Sequence, residues 1–229
     1  MKTLGLIGGT GWVSTLEYYR IINRTVNERL GGLHSARCMI YSLNFAELDE
    51  RKSAQDDEAV YTLFCDAART LELAGAEGLM ICANTPHVYA DRLENDISVP
   101  LIHIAEATAE QIKSQHIDKV GLLGTQLTME EAFYTSRLRQ HKIEPLIPNL
   151  EEREYINHSI FNEFLLEEFK PQTKQRFLDI ISELIKKGAQ GIILGCTEIP
   201  LIIQQEDVKV PILNTLEIHA KAAVDFALK

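Results

Sequence analysis

The chain repeats itself. Thr3-Leu4-Gly5-Leu6-Ile7-Gly8-Gly9-Thr10 returns as Lys119-Val120-Gly121-Leu122-Leu123-Gly124-Thr125. Gly75-Ala76-Glu77-Gly78-Leu79-Met80-Ile81 returns as Gly188-Ala189-Gln190-Gly191-Ile192-Ile193-Leu194. Val99-Pro100-Leu101-Ile102-His103 returns as Val210-Pro211-Ile212-Leu213-Asn214. The three blocks keep one order at separations of 116, 113 and 111 residues. A repeat of this length is a domain-sized unit, so the 229 residues read as two halves of one design.

Each half alternates short apolar runs with stretches of helical periodicity. In the first we expect a strand over 3–7, a helix over 15–30 ended by Gly31-Gly32, a strand over 37–43, a helix over 55–74 and a strand over 78–82. In the second we expect a strand over 119–123, a helix over 128–140, a weak strand over 143–147, helices over 151–166 and 172–187, and a strand over 191–194. Each Val-Pro block opens a further short strand, followed by helices over 104–115 and 215–228. Uninterrupted apolar strands between helices imply parallel sheets covered on both faces. The fold class is therefore α/β, with two pseudo-symmetric flavodoxin-like halves. The expected domains are 1–98 with 212–229, and 99–211. Ligands of such sheets bind beyond the carboxyl ends of the strands, and the active site is expected in a cleft between the halves.

Those strand ends carry Gly8-Gly9-Thr10-Gly11, Cys82-Ala83-Asn84-Thr85, Gly124-Thr125 and Gly195-Cys196-Thr197-Glu198. The first lacks the spacing of G-x-G-x-x-G and the Lys-Ser/Thr of a P-loop. It reads either as a tight turn or as a cradle of backbone N–H groups for a carboxylate. Asn84, Thr85, Thr197 and Glu198 could cap helices. Equally, they place amide and hydroxyl donors at one depth in both halves, where they suit a substrate carboxylate and its enolate-like transition state. The formal net charge is −10, which argues against a nucleic-acid partner and leaves a small anionic substrate dependent on local donors. No apolar run reaches the roughly 18 residues that span a bilayer. The N-terminal apolar stretch reads as a buried strand rather than a signal peptide, and a cytoplasmic protein is expected.

Of the four cysteines Cys38, Cys65, Cys82 and Cys196, none forms a zinc-site pattern, so no metal site is expected. Cys38, on an apolar strand, and Cys65, on a helix, read as core. Cys196 stands between an apolar strand and a following helix, whose N-terminus would favour thiolate, and it is the leading acid/base residue.

The GGTG turn, the Asn-Thr-x-His block, the GCTE block and the duplication resemble the aspartate/glutamate racemase superfamily. The resemblance runs the full length, through Tyr18-Tyr19-Arg20 and Leu30-Gly31-Gly32-Leu33-His34-Ser35. It implies an amino-acid racemase acting on aspartate or glutamate without pyridoxal phosphate, other cofactor or metal. Two cysteines, one from each half, would flank the substrate α-carbon, one thiolate removing the α-proton and the other thiol protonating the opposite face. Cys196 and Cys82 are the catalytic expectations. Thr10, Lys52, Ala83, Asn84, Thr85, Thr125, Thr197 and Glu198 are the substrate-binding ones, with Arg51 and Lys52 in a polar loop and His87 and His219 near the cysteines. The resemblance also suggests a homodimer, but no interface can be read from the sequence.

One position departs from the pattern. The family's first cysteine stands immediately before Asn-Thr, which here is Ala83. Shifted by 113 residues, Ala83 falls on Cys196 and Cys82 on Gly195. Adjacent residues of a strand point to opposite faces. This leaves two alternatives: a single-cysteine isomerase or decarboxylase of a small dicarboxylate, or a non-catalytic binder of acidic amino acids.

Overall fold

The computed structural model describes residues 1–229. They form two compact units, Met1–Ile104 with His219–Lys229, and Ala105–Ile218.

The first unit holds β1 (Leu4–Gly8), α1 (Trp12–Leu30), β2 (Cys38–Ser42), α2 (Phe45–Ser53), α3 (Asp57–Leu73), β3 (Gly78–Ile81), a 3-10 turn (Thr85–Tyr89) and α4 (Ala90–Asp96). Its strands are parallel in the order β2-β1-β3, and a parallel bridge from Leu79 to Leu101 adds a short fourth position. β1 is central and wholly buried, as an apolar run with no polar alternation requires. Ile7, Leu79 and Ile81 pack with Val60, Phe64, Ala67 and Leu71 of α3 in one core cluster.

The second unit follows with α5 (Ile104–Ser114), β4 (Lys119–Gly124), α6 (Gln126–Glu130), α7 (Ala132–Gln140), β5 (Glu144–Leu146), α8 (Leu150–Asn162), α9 (Pro171–Lys186), β6 (Gly191–Gly195) and β7 (Ile212–Asn214), and the chain ends in α10 (Thr215–Leu228), which from His219 onward belongs to the first unit. Its parallel sheet runs β5-β4-β6-β7. Each sheet thus has its second strand outside its first and its third beyond it, which is the flavodoxin-like order. α9 buries Phe177, Ile180, Ile181 and Leu184 on one stripe, and α8 starts with a reciprocal capping box between Asn149 and Glu152.

Three details differ from the sequence expectation. The unit boundaries fall at 104/105 and 218/219, rather than 98/99 and 211/212. The reason is that each Val-Pro block pairs within its own half: Leu101 bridges β3, and β7 pairs with β6. The polar stretch around Arg51 and Lys52 is helical. Asn44 caps α2 by accepting from the Ala46 N–H, with Glu47 in the first turn and Arg51 and Lys52 in the last. It escaped notice because Leu48 is its one buried residue, so it has no apolar stripe. The helix expected over 128–140 is two helices, broken at Glu131, whose ψ of 151° is extended. No helix is long and apolar enough to cross a membrane.

Candidate functional site

In the second unit, β4 and β6 end side by side at the paired glycines Gly124 and Gly195. A Cβ on Gly124 would stand 2.8 Å from the Gly195 carbonyl oxygen, and one on Gly195 would stand 2.9 Å from that of Leu123. Only glycine lets the strand ends approach so closely, and the approach sets where the next residue, Cys196, leaves the sheet. Cys196 is buried, and its Sγ donates to Glu198 Oε2 at 2.9 Å. The same oxygen accepts from Thr197 Oγ1 at 2.8 Å. Glu198 makes no side-chain cap to the 3-10 turn (Ile199–Leu201) that follows, so its carboxylate is directed at the thiol and not at a helix end.

The helix expected after Cys196 is this single turn of three residues, too short for a macrodipole to act. The electrostatics correct the expectation of a favoured thiolate. Burial pushes the Cys196 thiol well above its usual range, the Glu198 charge and hydrogen bond push it further, and backbone N–H groups of Thr197 and Glu198 oppose this only in part. The resting group is a protonated thiol held on a carboxylate, so a proton leaving Cys196 has an acceptor already in contact. Thr125 caps α6 by accepting from the Thr128 N–H and shares a hydroxyl–hydroxyl contact of 3.0 Å with Thr128.

In the first unit the GGTG turn is built tightly. Gly9 has φ +85°, and a Cβ there would stand 2.0 Å from the Leu43 carbonyl oxygen, so a side chain is barred by both conformation and space. Its N–H donates to Thr15 Oγ1 at 3.0 Å, and that hydroxyl donates on to Gly11 O at 3.2 Å. The Gly9 N–H is thereby committed and does not serve the anion cradle that the sequence suggested. Thr10 differs: its Oγ1 is buried and has no hydrogen-bond partner in the protein. A buried unsatisfied hydroxyl costs about 1–3 kcal/mol, which a polar ligand atom would recover.

After β3, Cys82 is fully buried, with its N–H donating to Ile7 O at 2.8 Å. Burial raises its thiol pKa far above the usual range, with a further contribution from Cys38. Leu79 and Ile81 belong to the α3-side core cluster and Cys82 does not, as alternation along a strand requires. Ala83 is half-buried and Asn84 buried. Asn84 stands before the 3-10 turn without capping it through its side chain, and Thr85 opens that turn. Cys65 lies in the core cluster, and Cys38 is half-buried with its thiol pKa raised by burial. Lys52 is exposed as a residue, although the protein around its ammonium lowers its pKa, with Asp49 opposing. Arg51 donates to the Glu47 carbonyl at 3.1 Å.

His87 and His219, each expected near the cysteines, form with His103 a single buried cluster that the sequence did not reveal. The rings of His87 and His103 lie 4.6 Å apart and those of His87 and His219 lie 5.6 Å apart. His87 Nδ1 lies 2.8 Å from the Ala83 carbonyl, and its Nε2 accepts from the Ile104 N–H at 3.3 Å. His219 Nε2 lies 2.6 Å from the Ile102 carbonyl, and its Nδ1 lies 3.0 Å from the Tyr18 hydroxyl. The Ala83 carbonyl and the Ile104 N–H assign one proton to the His87 ring, and burial lowers the His219 pKa to about 4. His87 is a neutral strut that ties the turn to the start of α5, and the His219 ring packs edge-on against it. The helical spacing of Tyr18, Ile22 and Val26 was the available signal that Tyr18 is internal. Nowhere do three or more His, Cys, Asp or Glu side chains gather to hold a metal ion.

The profile of the Asp/Glu/hydantoin racemase family matches residues 7–223. The chain belongs to that family. A crystal structure of a candidate Asp/Glu racemase from Yersinia pestis is 46% identical over the full length of both chains, with a TM-score of 0.94. That of an aspartate racemase homologue from Pyrococcus horikoshii is 36% identical over the full length of both, with a TM-score of 0.87. The broad specificity amino-acid racemase RacX of Bacillus subtilis is 24% identical over 96% of each chain.

Proposed function

We propose that the protein is a cofactor-independent racemase of aspartate or glutamate, with Cys196 as its acid/base residue. The observation that carries this reading is the 2.9 Å contact from Cys196 Sγ to Glu198 Oε2. Passing the thiol proton to Glu198 leaves a thiolate, which takes the substrate α-proton and leaves a planar enolate-like carbanion. Protonation on the opposite face gives the mirror image, and protonation on the same face regenerates the starting enantiomer. Thr10, Asn84, Thr85, Thr125 and Thr197 are assigned to the substrate's polar groups, and Lys52 to its side-chain carboxylate. Thr10 has the firmest support, because its hydroxyl is buried and unsatisfied. A cytoplasmic location fits such an enzyme.

A second reading has its own support. Ala83, the repeat partner of Cys196, carries no transferable proton, and Cys82 is wholly buried. With one working thiol, the second proton comes from water, or the reaction is a one-sided isomerisation or decarboxylation of a small dicarboxylate.

Proton NMR of L- and D-aspartate and L- and D-glutamate in heavy water, with the enantiomer ratio followed on a chiral column, separates these readings. Racemisation with α-proton loss from both enantiomers is the expected result. Exchange from one enantiomer without inversion would assign Cys196 to work alone. Binding without exchange, unaffected by Cys196→Ala, would mark a binder and overturn the proposal.

A further inference from the structure

The turn after β3 carries a fastening of its own. Thr85–Tyr89 is a 3-10 turn, and the His87 N–H donates to Asn84 O at 3.0 Å. In an α-helix that N–H would reach one residue further back, to Ala83 O. The tighter geometry leaves the Ala83 carbonyl without it. The imidazole of the same residue takes its place, with Nδ1 2.8 Å from Ala83 O. A carbonyl accepts, so Nδ1 carries the ring proton. The Ile104 N–H donates to Nε2 at 3.3 Å, so Nε2 presents its lone pair. The two contacts select one tautomer, and His87 is buried.

The segment that meets Nε2 is itself anchored. The Leu79 N–H donates to Pro100 O at 2.9 Å, and the Ile102 N–H donates to Leu79 O at 2.8 Å. Ile102 O lies 2.6 Å from His219 Nε2, and the rings of His103 and His219 flank that of His87. The imidazole therefore ties the turn that leaves β3 to a segment bonded to β3 itself. The matching place in the second unit cannot hold such a tie. Shifted by the same 113 residues, His87 falls on Pro200, which has neither a backbone N–H nor a side-chain donor. There Cys196 O accepts from the Ile199 N–H at 3.3 Å.

We propose that His87 is a positioning residue for substrate binding: its bond from Nδ1 to the Ala83 carbonyl fixes the turn so that Asn84 and Thr85 meet the substrate already in place. This role rests on the racemase reading, which assigns Asn84 and Thr85 to the substrate's polar groups. A turn that is fixed beforehand loses little conformational freedom on binding. Released from His87, it has to be ordered by the ligand, and affinity falls. Donors that grip the substrate and its transition state equally affect KM and leave kcat unchanged. His87 thus acts on binding through the turn, while Cys196 acts on the proton.

Two substitutions of the full chain separate this role from a merely structural one. In His87→Asn the amide Nδ2 takes the place of Nδ1 and keeps the bond to Ala83. In His87→Gln the amide Oε1 takes the place of Nε2 and keeps the bond to Ile104. Both remove the ring, and both should lower the urea midpoint. With aspartate or glutamate, whichever the wild type turns over, His87→Gln is expected to raise KM about tenfold, the worth of one hydrogen bond. Its kcat should stay within about threefold of the wild type, and His87→Asn should keep a wild-type KM. The same KM in both variants, or a loss confined to kcat, would overturn the proposal. Nitrogen-15 NMR of the wild-type imidazoles decides the matter if the variants fail to fold. A proton on His87 Nδ1 is expected, with a resonance that moves when the substrate is added. A proton on Nε2, or a resonance that the substrate leaves in place, would overturn the proposal. A wild-type chain that exchanges neither amino acid removes the racemase reading and this role with it, whereas exchange with an unaltered KM in His87→Gln removes this role alone.

Discussion

The ends of β3 and β6 are repeats of one another, yet their chemistry has separated. After β6 a buried thiol rests on a carboxylate. After β3 the matching position is Ala83, whose carbonyl is held by a neutral histidine. One end holds a thiol hydrogen-bonded to a carboxylate, and the other is tied down by a hydrogen bond to its backbone. A duplicated framework preserves strand order and turn geometry because these depend on many residues. The identity of one side chain at a strand end depends on almost nothing else, so Ala83 and Cys196 can differ at equivalent positions while the fold persists.

The largest effect expected from breaking this contrast is that of Cys196→Ala. It should lower α-proton exchange by about 10³-fold or more, measured by NMR in heavy water, whereas substitutions at the β3 end should leave exchange from at least one enantiomer. Glu198→Gln should lower turnover by about 10²-fold. It should also bring the Cys196 pKa down, because a charge that opposes the thiolate is removed. The pH dependence of alkylation reads that shift, and a merely structural role for Glu198 would not produce it. Ala83→Cys restores a thiol in the repeat register, and racemisation should rise by about tenfold if the second proton limits the rate.

The histidine cluster gives a prediction on stability. The His219 pKa is depressed to about 4, below the roughly 6.5 of an unfolded chain. The unfolded state therefore binds the extra proton first. The contribution of neutral His219 is complete above pH 6.5 and is lost as pH falls toward 4, on the order of 3 kcal/mol. Urea denaturation across that window should show the loss, and His219→Gln should flatten it. The smallest effect is assigned to Cys82→Ala: less than about threefold on turnover and roughly 1 kcal/mol of stability, since its thiol is fully enclosed. A much larger loss of turnover would restore Cys82 to a two-thiol mechanism and erase the contrast between the strand ends.

Much of this was legible before any coordinates. The apolar runs at 3–7, 78–82, 119–123 and 191–194 all became buried parallel strands, because a strand covered on both faces must be apolar throughout. α2 was not legible, since a short surface helix held by an Asn cap and end charges leaves no hydrophobic period. His87 and His219 were candidates one by one, but their gathering with His103 and Tyr18 was not legible. Residues 18, 87, 103 and 219 are far apart in the chain, and only the fold stacks them.

Composition and order alone determined that this chain is a duplicated parallel α/β protein and that Cys196 stands at a strand end. Both follow from local pattern and from internal comparison. The tertiary structure alone decided that the thiol is protonated and paired with Glu198 rather than ionised at a helix start. It also decided that the Gly9 N–H is already spent, and that Thr10 holds a hydroxyl with no partner. These are matters of burial and of contacts a few ångströms long, and residue order does not carry distances of that kind.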